Sequence, residues 1–435
     1  MTKYITRVRQ VTGFLANNII TVIFVVFVLL GFVLTKEITL KDYIEQLFES
    51  VFRDGFLVLS LIIPVIAGLG MNFGIVIGAM AAQLALILVR WFDIPGVLGF
   101  LVCTAVSLPL SLLFGWLTGK LYNKTRGQEM IAGLIVGYFA GGIYLFILLF
   151  AIGGIIPVAA KALLTKTQFN MFSPLGVGIR PFVDLGSLKY SLDGIWRLPF
   201  VTFTIIAATC FLAWLIIQYL RKRRIPDRGK NNIWLFASGA IACLFFIGVS
   251  AWVLISNNPT YMALRPAPMV TIAVIMLLAV ATNFLLTKTK LGQDFRSVGQ
   301  SQQIAHISGI DVDKIRIIAT IISTVLASWG MLIFLQNIGI LATYSHHLQI
   351  GLFSVATMLV GGATTSVVSV KSAFFGLLLF HSMFILSPAM GLALFGNPLY
   401  GENFRTFMVY AIIALSLGLY VWRGIKAARH KIEEE

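Results

Sequence analysis

Apolar runs long enough for a helix to cross about 30 Å of hydrocarbon recur along the whole chain, with polar stretches between them. The pattern predicts spans near positions 14–35, 55–70, 71–89, 96–119, 130–151, 199–219, 232–254, 268–287, 316–338, 351–370, 373–395 and 406–422. Backbone groups find no water inside a bilayer, so only helices or closed barrels span one, and the two-residue alternation of a barrel is absent. The expectation is an all-α polytopic membrane protein with roughly 10–12 transmembrane helices. The short pair at 55–70 and 71–89 reads as a broken or re-entrant core segment, with Asn72 held between Gly70 and Gly74 at the break. Gly70, Gly74, Gly78 and Ala82 fall four apart, a spacing that suits either static helix packing or a helix lining the path.

Three polar or mixed stretches interrupt the pattern. Segment 287–316 is the longest polar insert; Ser301 is a good N-cap, about two helical turns follow, and Gly309 offers a stop. Ile304 and Ile307 fall on one face with Ala305 beside them, and a helix so short needs something to pack against. It is either a docking knob for a soluble partner or an ordinary amphipathic connector. Segment 36–54 is mixed in charge and suits a surface helix ahead of the second span. Segment 153–198 carries several turn signals among many apolar residues, which fits a packed cap over the outer mouth or a lipid-skimming excursion. Three regions follow: 1–54, an N-terminal transmembrane helix and outer linker; 55–423, the core, including outer loop 153–198 and cytoplasmic loop 288–315; and 424–435, a tail.

Composition supports this frame: of 435 residues, 58% are hydrophobic and 11% charged, and mean hydropathy is +0.92. The net charge of +16 sits in short loops between spans, so it indicates orientation in a membrane rather than nucleic acid as a partner. An inside N-terminus puts loops 120–126, 221–230 and 288–316 and the tail on one side, with roughly two thirds of the 33 Lys and Arg. The expectation is a multi-pass protein of a cell's inner (cytoplasmic) membrane, touching lipid, with both termini cytoplasmic. The first apolar run is too long for a signal h-region and lacks an A-x-A site, so it reads as an uncleaved span.

Catalytic and metal motifs are missing. Cys103, Cys210 and Cys243 lie in apolar runs and read as small buried hydrophobes, and His346-His347 reads as an exposed loop pair without metal-ligand company. The stretch 115–121 faintly resembles a phosphate loop but is one residue short and lacks Ser or Thr after Lys120, so no ATPase motif is present. Nothing marks the chain as an enzyme. Charge within the spans looks almost absent, with His381 the clear mid-span candidate, so the energy for transport would come from elsewhere.

The residues Gly292, Arg296, Ser297, Val298, Gly299, Ala305, Gly309 and Ile310, spaced G-x-x-x-R-S-V-G-x-x-x-x-x-A-x-x-x-G-I, resemble the cytoplasmic coupling loop of ABC importer permeases. The branch in question carries simple sugars, nucleosides and branched-chain amino acids, and this chain is nearest its nucleoside and ribose types. The chain departs from the usual pattern at Ser297, Gln300 and Ile304. A weaker likeness runs over roughly 55–395, where Asn72 and Gly74 match the family's broken helix and Val76 stands in place of a usual Glu. The stretch 127–133 is similar to a core-helix start, with Glu129 at its N-terminus, and 359–363 resembles a glycine turn late in the core.

The resemblance implies alternating access driven by separate cytosolic ABC ATPase subunits, which bind the ATP and Mg; no cofactor belongs to this chain. It also implies a second permease subunit, identical or related, and an extracytoplasmic substrate-binding protein. Gly292, Arg296, Gly299, Ser301, Ile304, Ala305, Ile307, Gly309 and Ile310 would couple to the ATPase. Asn72, Phe73, Gly74, Glu129, Gly133, Gly361 and Gly362 would lie along the translocation path. The implied cargo is a nucleoside or a simple sugar. Two rival readings are a stand-alone secondary transporter of a small polar solute and a membrane scaffold without a pore.

Overall fold

The computed structural model describes residues 19–35, 38–155, 178–223, 233–256, 259–262, 264–364 and 367–434. Helix α1 (Ile19–Leu34) leads into α2 (Leu40–Ser60), whose first turn is capped by the Thr39 hydroxyl accepting from the Asp42 amide. Because α2 is continuous, the surface helix expected at 36–54 and the span expected from 55 are one element, and the boundary drawn at 54/55 falls inside it. The short α3 (Ile62–Ile66) follows, and the chain then breaks: Gly68 and Gly70 take φ of 77° and 70°, which few L side chains tolerate. It resumes as α4 (Ile75–Trp91), so Gly70 and Gly74 precede the helix. Only Gly78 and Ala82 of the expected four-residue row lie on α4.

Next come α5 (Gly96–Lys124) and α6 (Glu129–Phe146), the latter prolonged by a π-helical stretch over Ile147–Ile155. Strands β1 (Phe182–Asp184) and β2 (Arg197–Leu198) precede the hairpin of α7 (Phe200–Arg223) and α8 (Ile233–Ile255). Then follow α9 (Pro259–Met262), β3 (Ala267–Pro268), α10 (Met269–Lys288), α11 (Lys290–Gln300), α12 (Gln302–Ile307) and α13 (Val312–Ile338). The chain closes with β4 (Ile340–Ala342), α14 (His346–Val360), α15 (Val370–Phe395) and α16 (Pro398–Glu434). Among the described residues, seven helices are long and apolar enough to cross a membrane, and α1, α4 and α14 are shorter apolar helices. The protein is an all-α polytopic membrane protein with a broken core segment. Helix α16 continues through the expected tail at 424–435 as far as Glu434.

Helix α13 forms the centre, packed against α2, α4 and α5. Small and hydroxyl side chains let these helices approach: a Cβ added at Gly78 would meet the Thr324 carbonyl at 2.5 Å, and one at Gly115 would meet the Ile321 Cα at 2.8 Å. Helices α7 and α8 pack mainly on each other, and their apolar faces stay exposed, as a lipid-facing hairpin requires. Cys103 and Cys243 are buried as expected; Cys210, on α7, is exposed.

At one end of the bundle β1 pairs antiparallel with β4 and β2 with β3, and Leu185 and Tyr190 donate their amides to the carbonyls of Gly339 and Gln336. Of segment 153–198, residues 153–155 end the π-helical stretch and 178–198 pack against this end of the bundle through these strands; 156–177 lie outside the described residues. At the opposite end lie α11, α12 and the α5–α6 turn, where Arg126 pairs with Asp313. The basic segment 224–230 lies outside the described residues.

Candidate functional site

The insert after α10 is two short helices wedged against the bundle. Thr289 caps α11 by accepting from the Gly292 amide at 3.1 Å, and Gly292 lies in a turn so tight that a Cβ there would meet the Leu285 carbonyl at 2.0 Å. Phe295 and Val298 are buried and anchor α11, leaving Arg296 on the exposed face. At Gly299 two backbones touch: a Cβ there would lie 2.0 Å from the Ile66 carbonyl, and one at Gly68 would lie 2.9 Å from the Gly299 Cα. The insert is thus seated on the break between α3 and α4.

Helix α12 follows the expected plan. The Ser301 hydroxyl accepts from the Ile304 amide at 3.3 Å, Gly309 ends the helix with φ 81°, and the Ile310 amide donates to the Ala305 carbonyl. Ala305 is 1% exposed and faces the protein, whereas Ile304 and Ile307 are 67% and 85% exposed. Two aliphatic side chains therefore project from a polar surface at the end of the bundle. A cleft of about 1030 Å³ borders Ile307, lined also by residues including Arg126, Gln302, His306 and Asp313.

The break leads from this knob to a buried polar cluster. Asn72 donates Nδ2 to Ser323 Oγ at 3.1 Å, and its Oδ1 accepts from the Gly74 amide at 2.9 Å and the Tyr122 hydroxyl at 2.8 Å. Ser323 in turn donates to the Ser60 carbonyl, which closes the network. Gly133 lies against the Tyr122 hydroxyl, and Phe73 is buried beside them. Glu129, buried at the start of α6, accepts from Arg316 Nη2 at 2.5 Å, and Arg316 also donates to the Tyr122 carbonyl at 3.0 Å. The Glu129 carboxylate, at the N-terminus of the helix as expected, is engaged in this ion pair.

Asn72, Phe73, Gly74, Glu129 and Gly133 thus converge around Tyr122, a residue that sequence reading did not single out. Gly361 and Gly362 lie elsewhere. A Cβ at Gly361 would meet the Ser372 carbonyl at 1.9 Å, so it marks the close crossing of α14 and α15, and Gly362 turns the chain after it. None of these seven residues lines the large cavity inside the bundle.

That cavity, about 660 Å³, lies between α2, α13, α14, α15 and the start of α16. It gathers His381, the expected mid-span group on α15, with charges from α2 and α16, which are not among the seven membrane-length helices. Arg53 and Asp54 pair at 3.1 Å, His381 Nε2 lies 3.1 Å from Asp54 Oδ2, and all three line the cavity together with Arg405. His346 and His347 are not a loop pair. Both begin α14, where His347 is fully buried against Gln83 at 3.1 Å, and His346 accepts the Ala342 amide. Arg53 and Asp54 were overlooked because their surroundings read as an outer linker; the signal available was the amphipathic period of 40–60, which places them on the faces that α13 and α15 cover. No group of His, Cys, Asp and Glu among the described residues is arranged to hold a metal.

No family model, curated protein or solved structure matches this chain.

Proposed function

We propose that this chain is the membrane permease subunit of an ATP-driven importer for a nucleoside or simple sugar, working by alternating access. The observation that carries the reading is the exposed Ile304–Ile307 pair on a knob whose base touches the α3–α4 break. Exposed aliphatic anchors on a short helix, held by buried Ala305, Phe295 and Val298, suit the groove of a soluble partner. In this reading the knob end is cytoplasmic, and a separate ABC ATPase holding ATP and Mg grips α12. Its closure would press through Gly299 on the break and so on the Asn72–Tyr122 cluster. A second permease subunit and a substrate-binding protein at the strand end complete the assembly, in an inner membrane.

Isolation of the chain from native membranes in mild detergent, followed by mass spectrometry, tests this. Recovery of an ATPase that is lost in Arg296→Glu and Ile307→Asp supports the proposal. Both substitutions lie on exposed positions, so insertion is expected to survive. A chain recovered alone, even after crosslinking, with uptake unchanged in both variants, refutes it.

One observation favours a second reading. Ionisable groups inside a cavity are what an ion-driven carrier needs, and Arg53, Asp54 and His381 meet there. Uptake by the purified chain in vesicles under a proton gradient, without ATPase, would select that alternative.

A further inference from the structure

The geometry points to a binding site, in the cavity lined by Arg53 and Arg405, for a solute with one flat ring and one anionic group. The inference rests on the transport reading and replaces the neutral cargo named there with an anionic one. A volume of about 660 Å³ is within the range of small-molecule sites. Five charged or titratable side chains line the cavity, Arg53, Asp54, His346, His381 and Arg405, and only one, Asp54, is an acid. Its two oxygens are already taken by Arg53, at 3.1 and 3.4 Å, and by His381 at 3.1 Å. Asp54 therefore has little left to offer a cationic ligand.

Arg405 is the group with capacity to spare. Its side chain is 30% exposed, with one long donation to the Phe384 carbonyl at 3.5 Å and Glu402 no nearer than 3.9 Å. Glu402 is half exposed and does not line the cavity. The lining thus sets two guanidinium groups, Arg53 and Arg405, against one carboxylate, Asp54, in a partly enclosed space, and Glu402 holds Arg405 only loosely from outside it. Such a space concentrates anions, and a guanidinium fork matches a carboxylate or phosphate through two parallel hydrogen bonds.

Beside that charge is an aromatic wall. Arg405 lies 5.0 Å above the Phe384 ring, Phe380 stacks on Phe384 at 4.5 Å, and Phe353 meets it edge to face at 5.1 Å; Phe353 and Phe384 are partly exposed, and all three rings line the cavity. A flat ring placed there covers apolar surface while its anionic group reaches Arg405. Gln46 and Gln349 on the lining supply hydrogen bonds to ring substituents. A neutral sugar would use neither the charge nor the wall.

The test is calorimetric titration of the full chain in lipid nanodiscs with four probes: benzoate, uridine 5′-monophosphate, uridine and ribose. At least one anion is expected to bind at least ten-fold more tightly than uridine and ribose. Arg405→Gln should remove that preference, and Arg405→Lys should keep most of it. Uridine or ribose binding as tightly as both anions overturns the inference, as does binding of neither anion, or an anion preference that Arg405→Gln leaves intact. Where Arg405→Gln does not yield folded protein, the ratio of anion to uridine affinity on the unaltered chain decides. These titrations need no ATPase, so the importer reading and this inference fail separately.

Discussion

Arg316 lies at 0% exposure on α13, with Glu129 Oε1 and the Tyr122 carbonyl as its acceptors, while its Nε and Nη1 have no protein partner. Glu129→Leu leaves a buried guanidinium with one backbone acceptor and no counter-charge. Removing one partner of a buried ion pair costs about 3–5 kcal/mol, because the remaining charge stays desolvated. The control is the Arg126–Asp313 pair at the same end of the bundle, whose side chains are 48% and 56% exposed. Water already solvates that pair, so Arg126→Ala should cost only about 0–1 kcal/mol. Glu129→Leu combined with Arg316→Met removes both charges, and most of the single variant's loss should return. The assay is reversible SDS unfolding in mixed micelles, followed by circular dichroism. A cost for Glu129→Leu no larger than that of Arg126→Ala would refute the reasoning. So would a double variant as unstable as the single one.

Two further substitutions probe the core. Asn72→Ala removes the acceptor of Tyr122 and the donor to Ser323, and should cost about 1–3 kcal/mol in the same unfolding assay, whereas Asn123→Ala, whose amide makes one exposed bond to the Asp313 carbonyl, should change little. Gly361→Ala places a Cβ 1.9 Å from the Ser372 carbonyl and must part α14 from α15, so it should lower stability by about 1–3 kcal/mol, whereas Gly142→Ala, with open space around it, should be neutral.

The knob was legible in the sequence because its determinants are local. Ser301 caps the helix at its N-terminus, Gly309 stops it, and Ala305 differs from Ile304 and Ile307 in the face it presents; each acts within a few residues. Membrane spans were legible for the same reason, since hydrophobic run length is a property of the chain alone. The α3–α4 break was visible from its glycines, but the row of small residues proposed across it was not a helix face. Its first two members lie in the break itself, where Gly70 takes positive φ and Gly74 precedes the first turn of α4.

What the sequence by itself determined is that this is a polytopic all-α membrane protein with a broken core segment and a capped polar knob. The tertiary structure alone decided which charges are paired and where a cavity lies. Glu129 and Arg316 are 187 positions apart, and Arg53 and Asp54 come from a stretch polar enough to read as outer linker. Burial depends on which helix faces meet: Glu129 finds its counter-charge on a distant helix, while Arg53 and Asp54 pair with each other and are enclosed by α13 and α15. That enclosure is not written in the residues that surround them along the chain.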